Sequence, residues 1–107
     1  MLAFASAEKN RYKLIMAERY FAKFGQVLKE ARVAAHLSQT TAASALNYDQ
    51  QLLSHWERGL SAPPVRILRK IAKLYDIQVD DLYALLMEDS LRRTRLRLEE
   101  QIRKSAR

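Results

Sequence analysis

Cysteine is absent from this chain of 107 residues, which excludes disulfides, thiolate metal sites and thiol nucleophiles. The two histidines, His36 and His55, are too few for a metal site unless carboxylates complete it. Glycine and proline occur twice each, and strand-like alternation of polar and apolar residues is missing, so no sheet is expected. No apolar run approaches the roughly 20 residues that span a bilayer. The first residues, MLAFASAEKNRYK, place no basic region before their short apolar start, so no secretory signal is expected and the cytoplasm is the default location. No nucleophile–base pair, metal cluster or glycine-rich phosphate loop is visible, so the expectation is a non-enzyme without catalytic residues, metal or cofactor.

Apolar residues make up 49% of the chain, enough for a core, and the length suits one domain with modest extensions. The expected fold class is all-α. The net charge of +7 is unevenly placed. Residues 1–23 and 84–107 each carry +3, while residues 24–83 carry +1. A basic chain fits a polyanionic partner, and here the extensions supply most of the attraction.

The most informative stretch is Ser38–Gly59, SQTTAASALNYDQQLLSHWERG. Ser38 is a good N-cap for a short helix, Gln39 to Leu46. Asn47 tolerates the left-handed backbone that ends helices. Asp49 can cap a second helix, Gln50 to Arg58, which Gly59 stops. Leu53 and Trp56 share one face of that helix. Gln50, Gln51, Ser54 and His55 point elsewhere, and all are hydrogen-bonding groups.

At this spacing the stretch resembles the helix-turn-helix of the lambda repressor and Cro family, also called the XRE family. The resemblance covers about residues 24–83. It rests on Arg32, Ser38-Gln39, Ala43, Glu57-Arg58-Gly59, Pro64 and Asp80-Asp81-Leu82. Asn47 and Asp76 stand where the family often has glycine. Ala42 replaces a usual leucine, which suggests looser packing, and Trp56 is bulkier than the usual isoleucine or valine. The resemblance implies a five-helix DNA-binding domain over residues 24–83, with a helical extension at 1–23 and a basic helix at 84–107. It implies that Gln50, Gln51 and His55, with Ser54 as a lesser candidate, face base edges in the major groove of double-stranded DNA. The expected phosphate contacts are Gln39, Thr40, Arg58 and Arg66, and Gln39 could also brace Gln50. It further implies an Arg32–Glu57 ion pair of structural role. The bland reading of Gln50 and Gln51 is ordinary surface glutamine.

Around that module the sequence leaves alternatives open. Phe4, Tyr12, Ile15, Met16 and Phe21 fit an amphipathic helix from about Glu8 to Ala22, packed on the domain, on a second subunit, or on a membrane surface. Helix one is expected from Phe24 to Ala35, with Phe24, Val27, Leu28 and Ala31 buried and His36 in a cap or surface role. A further helix is expected from Pro64 to Tyr75, and its Arg66, Arg69, Lys70 and Lys73 form a solvated face or touch phosphate. Asp80 and Asp81 suit the first turn of a fifth helix, which can run on to Ile102. The order Glu88–Arg92, Asp89–Arg93 and Glu99–Arg103 supports it as i,i+4 pairs. Leu91 and Leu98 are seven apart, with Thr94 and Gln101 between and beyond them, a weak heptad. Residues 84–107 then form a homodimer helix, a protein-binding helix, or a basic arm ordered on DNA. Three functions follow: a dimeric repressor reading a pseudo-palindromic operator, an antitoxin-type autoregulator with a protein partner, or a protein-interaction adaptor.

Overall fold

In a computed structural model of the chain, residues 20–106 are described. The helix expected from about residue 8 lies almost entirely outside them. All regular structure among the described residues is helical: α1 (Ala22–Ala34), α2 (Gln39–Leu46), α3 (Gln50–Glu57), a 3-10 turn (Val65–Ile67), α4 (Leu68–Tyr75) and α5 (Val79–Ser105). The helix expected from Pro64 therefore opens as a 3-10 turn and becomes α-helical at Leu68. The C-terminal helix crosses residue 84 without a break.

Four successive helices end in the same way. His36, Asn47, Gly59 and Asp76 adopt left-handed backbone, with φ of 60°, 64°, 77° and 56°. The residue after each donates its N–H to a carbonyl five residues back: Leu37 to Arg32, Tyr48 to Ala43, Leu60 to His55 and Ile77 to Ala72. This is the Schellman arrangement, and each donor is apolar, as the motif favours. Asn and Asp carry a tolerable share of the left-handed cost, because their short polar side chains suit that region. His36, which the sequence marks for a cap or surface role, is the reversing residue itself.

The core is built from Phe24, Leu28, Leu46, Leu53, Trp56, Leu68, Ile71 and Leu82, all essentially solvent-free. Ala42, where the family usually has leucine, is fully buried in this core. Trp56 meets Tyr48 edge to face, with ring centroids 5.2 Å apart. The backbones of α1 and α3 approach closely at Gly25: a Cβ there would lie 2.7 Å from the Glu57 carbonyl oxygen and still nearer that of Trp56.

The start of α1 has no local cap, because Phe21 offers no acceptor. Asp89 of α5 supplies one. It is fully buried, and its Oδ2 accepts the Phe24 N–H at 3.0 Å. Arg92 neutralises it at 2.7 Å and also donates to the Tyr20 carbonyl at 3.2 Å. Arg93 lies over the Tyr20 and Phe21 rings, 5.6 and 5.8 Å from their centroids. The pairs expected along α5 are thus rearranged: Asp89 takes Arg92, Glu88 takes Lys23 at 2.9 Å, and Glu99 takes Arg95 at 3.0 Å. Glu88 has exchanged its helical neighbour for a tertiary partner, while Asp89 pairs at i,i+3 within α5 and takes the Phe24 amide in addition.

Candidate nucleic-acid interface

Capping fixes the angle between α2 and α3. Ser38 Oγ accepts the Thr41 N–H at 3.0 Å, and Asp49 Oδ1 accepts the Leu52 N–H at 2.8 Å. With Asn47 left-handed between them, the chain reverses in a few residues. Helix α3 then buries Leu53, Trp56 and Glu57 and turns Gln50, Gln51 and His55 to solvent, with Ser54 half-buried. Thr40, Arg58 and Arg66 are also exposed.

A continuous hydrogen-bonded chain links the interior to this outer face. Arg32 Nε and Nη2 donate to Glu57 Oε2 and Oε1 at 2.6 and 3.0 Å, a fork-on-fork pair. Arg32 Nη1 donates to the Leu37 carbonyl at 2.7 Å, so the cation also holds the end of α1. Hydrogen bonding to Glu57 raises the Arg32 pKa above its ordinary value. Gln39 Nε2 donates to Glu57 Oε1 at 3.0 Å, and Gln50 Nε2 donates to Gln39 Oε1 at 2.7 Å. The orientation of Gln50 is therefore set, through Gln39, by a buried ion pair. Breaking such a pair from one side typically costs about 3–5 kcal/mol, because the other charge is stranded.

Beside α3 lies a groove of about 380 Å³ lined by Ala22, Gln26, Lys29, Gln39, Ser54, Glu57 and Arg58. Lys29 and Arg58 are its cations, and the Glu57 charge at its floor is taken up by Arg32 and Gln39. Lys29 and Gln26 escaped the sequence reading. They lie on the polar edge of α1, and only the packing of α1 against α3 brings that edge to the interface. Among the described residues no group of three or more His, Cys, Asp or Glu could hold a metal ion. No helix among them is long and apolar enough to cross a membrane.

A family model described as helix-turn-helix matches residues 28–82, just over half of the chain. The chain belongs to the helix-turn-helix family, in its XRE branch. The HTH-type transcriptional regulator ImmR of Bacillus subtilis (strain 168) is 40% identical over 58 residues, which are 54% of this chain and 46% of that protein. The chain thus spans less than half the length of that relative. No solved structure shows a match. The helix-turn-helix proper is α2 and α3, and the match ends at Leu82, inside α5. Most of that long helix lies beyond the matched region.

Proposed function

We propose that this protein is a DNA-binding transcriptional regulator, acting as a dimeric repressor that reads a pseudo-palindromic operator. The observation that carries the reading is the uncharged, solvent-facing edge of α3, with Gln50 held in place through Gln39. A major groove admits an α-helix, and each base pair there shows its own pattern of donors and acceptors. Gln50 and Gln51 supply amides able to bond adenine in bidentate fashion, and His55 and Ser54 extend the reading edge. Gln39 and Thr40, in the first turn of α2, sit where the helix dipole favours a phosphate. Arg58 and Arg66 flank α3 and take further phosphates. Lys29, across the groove from Arg58, joins them.

One such helix reads a few base pairs, so two copies set about 34–36 Å apart would enter successive major grooves. Binding by fluorescence anisotropy across a salt series tests these roles. Gln50→Ala should cost about 1–3 kcal/mol on the preferred site and relax its specificity, whereas Arg58→Ala should weaken all duplexes alike and reduce the salt slope by about 1. Equal loss on all sequences with Gln50→Ala would refute the reading role.

A further inference from the structure

The entry to α1, Tyr20 to Ala22, is gripped from two sides. On one side is the end of α3. The Phe21 N–H donates to the Gly59 carbonyl at 3.1 Å. A Cβ on Gly59 would lie 2.7 Å from the Ala22 Cα and 2.9 Å from the Phe21 carbonyl carbon, so the two backbones touch. Ala22 and Arg58 also line the groove beside α3. On the other side is α5. Its Asp89 accepts the Phe24 N–H at 3.0 Å, and Arg92 joins Asp89 to the Tyr20 carbonyl. Arg93 covers the Tyr20 and Phe21 rings, and Glu88 pairs with Lys23. Residues 88–93 of α5 thus reach the end of α3 through this turn.

We propose that Asp89 is a positioning residue for DNA binding, acting through the entry turn to hold the end of α3 and its Arg58 in place. The role rests on the DNA-binding reading above and lies outside the helix-turn-helix match, which stops at Leu82. The first N–H groups of a helix have no partner within it. Phe21 provides no side-chain cap, so Asp89 is the side-chain acceptor that closes the first turn of α1. A fully buried carboxylate is costly to desolvate, and an apolar residue would fill the same space without that cost. What the carboxylate adds is direction. One oxygen fixes the Phe24 amide, and the other fixes Arg92, which reaches the Tyr20 carbonyl at 3.2 Å. Without it the first turn of α1 frays, and Phe21 no longer presents its N–H to Gly59. Coupling between separate sites changes affinity by roughly 5–150-fold, and the loss of one cap belongs at the lower end, about 5–10-fold.

Charge gives the test its sign. Removing a negative charge from a protein by itself favours DNA binding, so a loss of affinity on removal of Asp89 runs against plain electrostatics. Asp89→Ala and Asp89→Asn carry the same charge, and Asn keeps an oxygen for the Phe24 amide, a cap as good as Asp. Binding to one mixed-sequence duplex at fixed salt is measured well below each protein's melting transition. Asp89→Ala should bind about 5–10-fold more weakly than Asp89→Asn. Ile71→Val, a core change on α4 that also lowers stability, should bind as wild type does. In the free proteins the Arg58 and Gly59 amide resonances should move in Asp89→Ala and stay in place in Ile71→Val. Equal affinity of the Asp89→Ala and Asp89→Asn proteins would overturn the proposal, and so would an Ile71→Val protein weakened as much as Asp89→Ala. If Asp89→Ala does not fold, Arg93→Ala uncovers the Tyr20 and Phe21 rings without stranding a charge and should move the same two resonances; unmoved resonances there would refute the coupling. A wild type that binds no duplex would sink the DNA reading, and the resonances would still decide whether α5 holds the end of α3.

Discussion

Replacing Gly25 by alanine should destabilise the protein, although the residue sits inside a helix where alanine is ordinarily the better choice. On an exposed helix surface the exchange gains roughly 0.8–1 kcal/mol. At Gly25 the new methyl would meet three backbone atoms of the recognition unit: the Trp56 carbonyl oxygen, the Glu57 carbonyl oxygen at 2.7 Å and the Gly59 nitrogen at 2.9 Å. Backbone cannot swing aside as a side-chain tip does. The end of α3 is moreover pinned by buried Trp56 and by Glu57 in its ion pair. Helix α1 must therefore lift away from α3, loosening the Arg32–Glu57 geometry as it goes. Overpacking of this kind costs typically 1–3 kcal/mol, beyond the propensity gain it cancels. For a domain of this size each kcal/mol lowers Tm by roughly 4–8 °C. Denaturant unfolding followed by fluorescence of the single tryptophan, Trp56, measures the effect directly. A Gly25→Ala protein as stable as wild type, or more so, would refute the close approach of α1 and α3.

Other expectations follow from particular contacts. His36→Gly should stabilise by about 1 kcal/mol, since it relieves a left-handed histidine at an exposed helix end; a fall in Tm would contradict the Schellman ending of α1. Glu57→Ala should lower stability by about 3–5 kcal/mol by stranding buried Arg32, and chemical denaturation would show a loss under 1 kcal/mol if the pair were not buried. Burial, with the nearby Glu57 charge, pushes the Tyr75 hydroxyl up to about 12. A raised acid contributes stability that is complete below its unfolded value near 10 and is lost as pH rises toward 12, on the order of 2 kcal/mol. That hydroxyl also has no hydrogen-bond partner, so Tyr75→Phe should be at least as stable as wild type at pH 7. It should also lose less stability than wild type between pH 10 and 12 in denaturant titrations. An equal alkaline loss in both proteins would contradict this assignment.

The turn-bounded pair of helices was legible because its signals are local. Ser38, Asn47 and Asp49 are caps or reversals whose partners lie within a few residues, and α2 occupies the bounds its sequence suggests. The all-α class was legible for the same reason. What stayed hidden depends on distant partners. The cap of α1 comes from Asp89, 65 residues away from the Phe24 amide it accepts. Glu88 is drawn from its helical neighbour to Lys23 across the same separation. Lys29 and Gln26 look like ordinary surface residues until α1 is laid beside α3. His36 was legible as a helix-end residue, yet nothing local marked it as the left-handed one, since histidine accepts that backbone less readily than Asn47 or Asp76. Continuation of the last helix to Ser105 follows from its unbroken helix-forming sequence.

The central claim is that α3 reads base sequence, and selection of binding duplexes from a random library tests it most directly. Wild type and a Gln50→Ala/Gln51→Ala variant should be selected in parallel. A two-fold symmetric motif for wild type, lost or relaxed in the variant, is the predicted result. Salt-sensitive binding with no enriched motif would contradict it, leaving basic surface holding DNA without reading it.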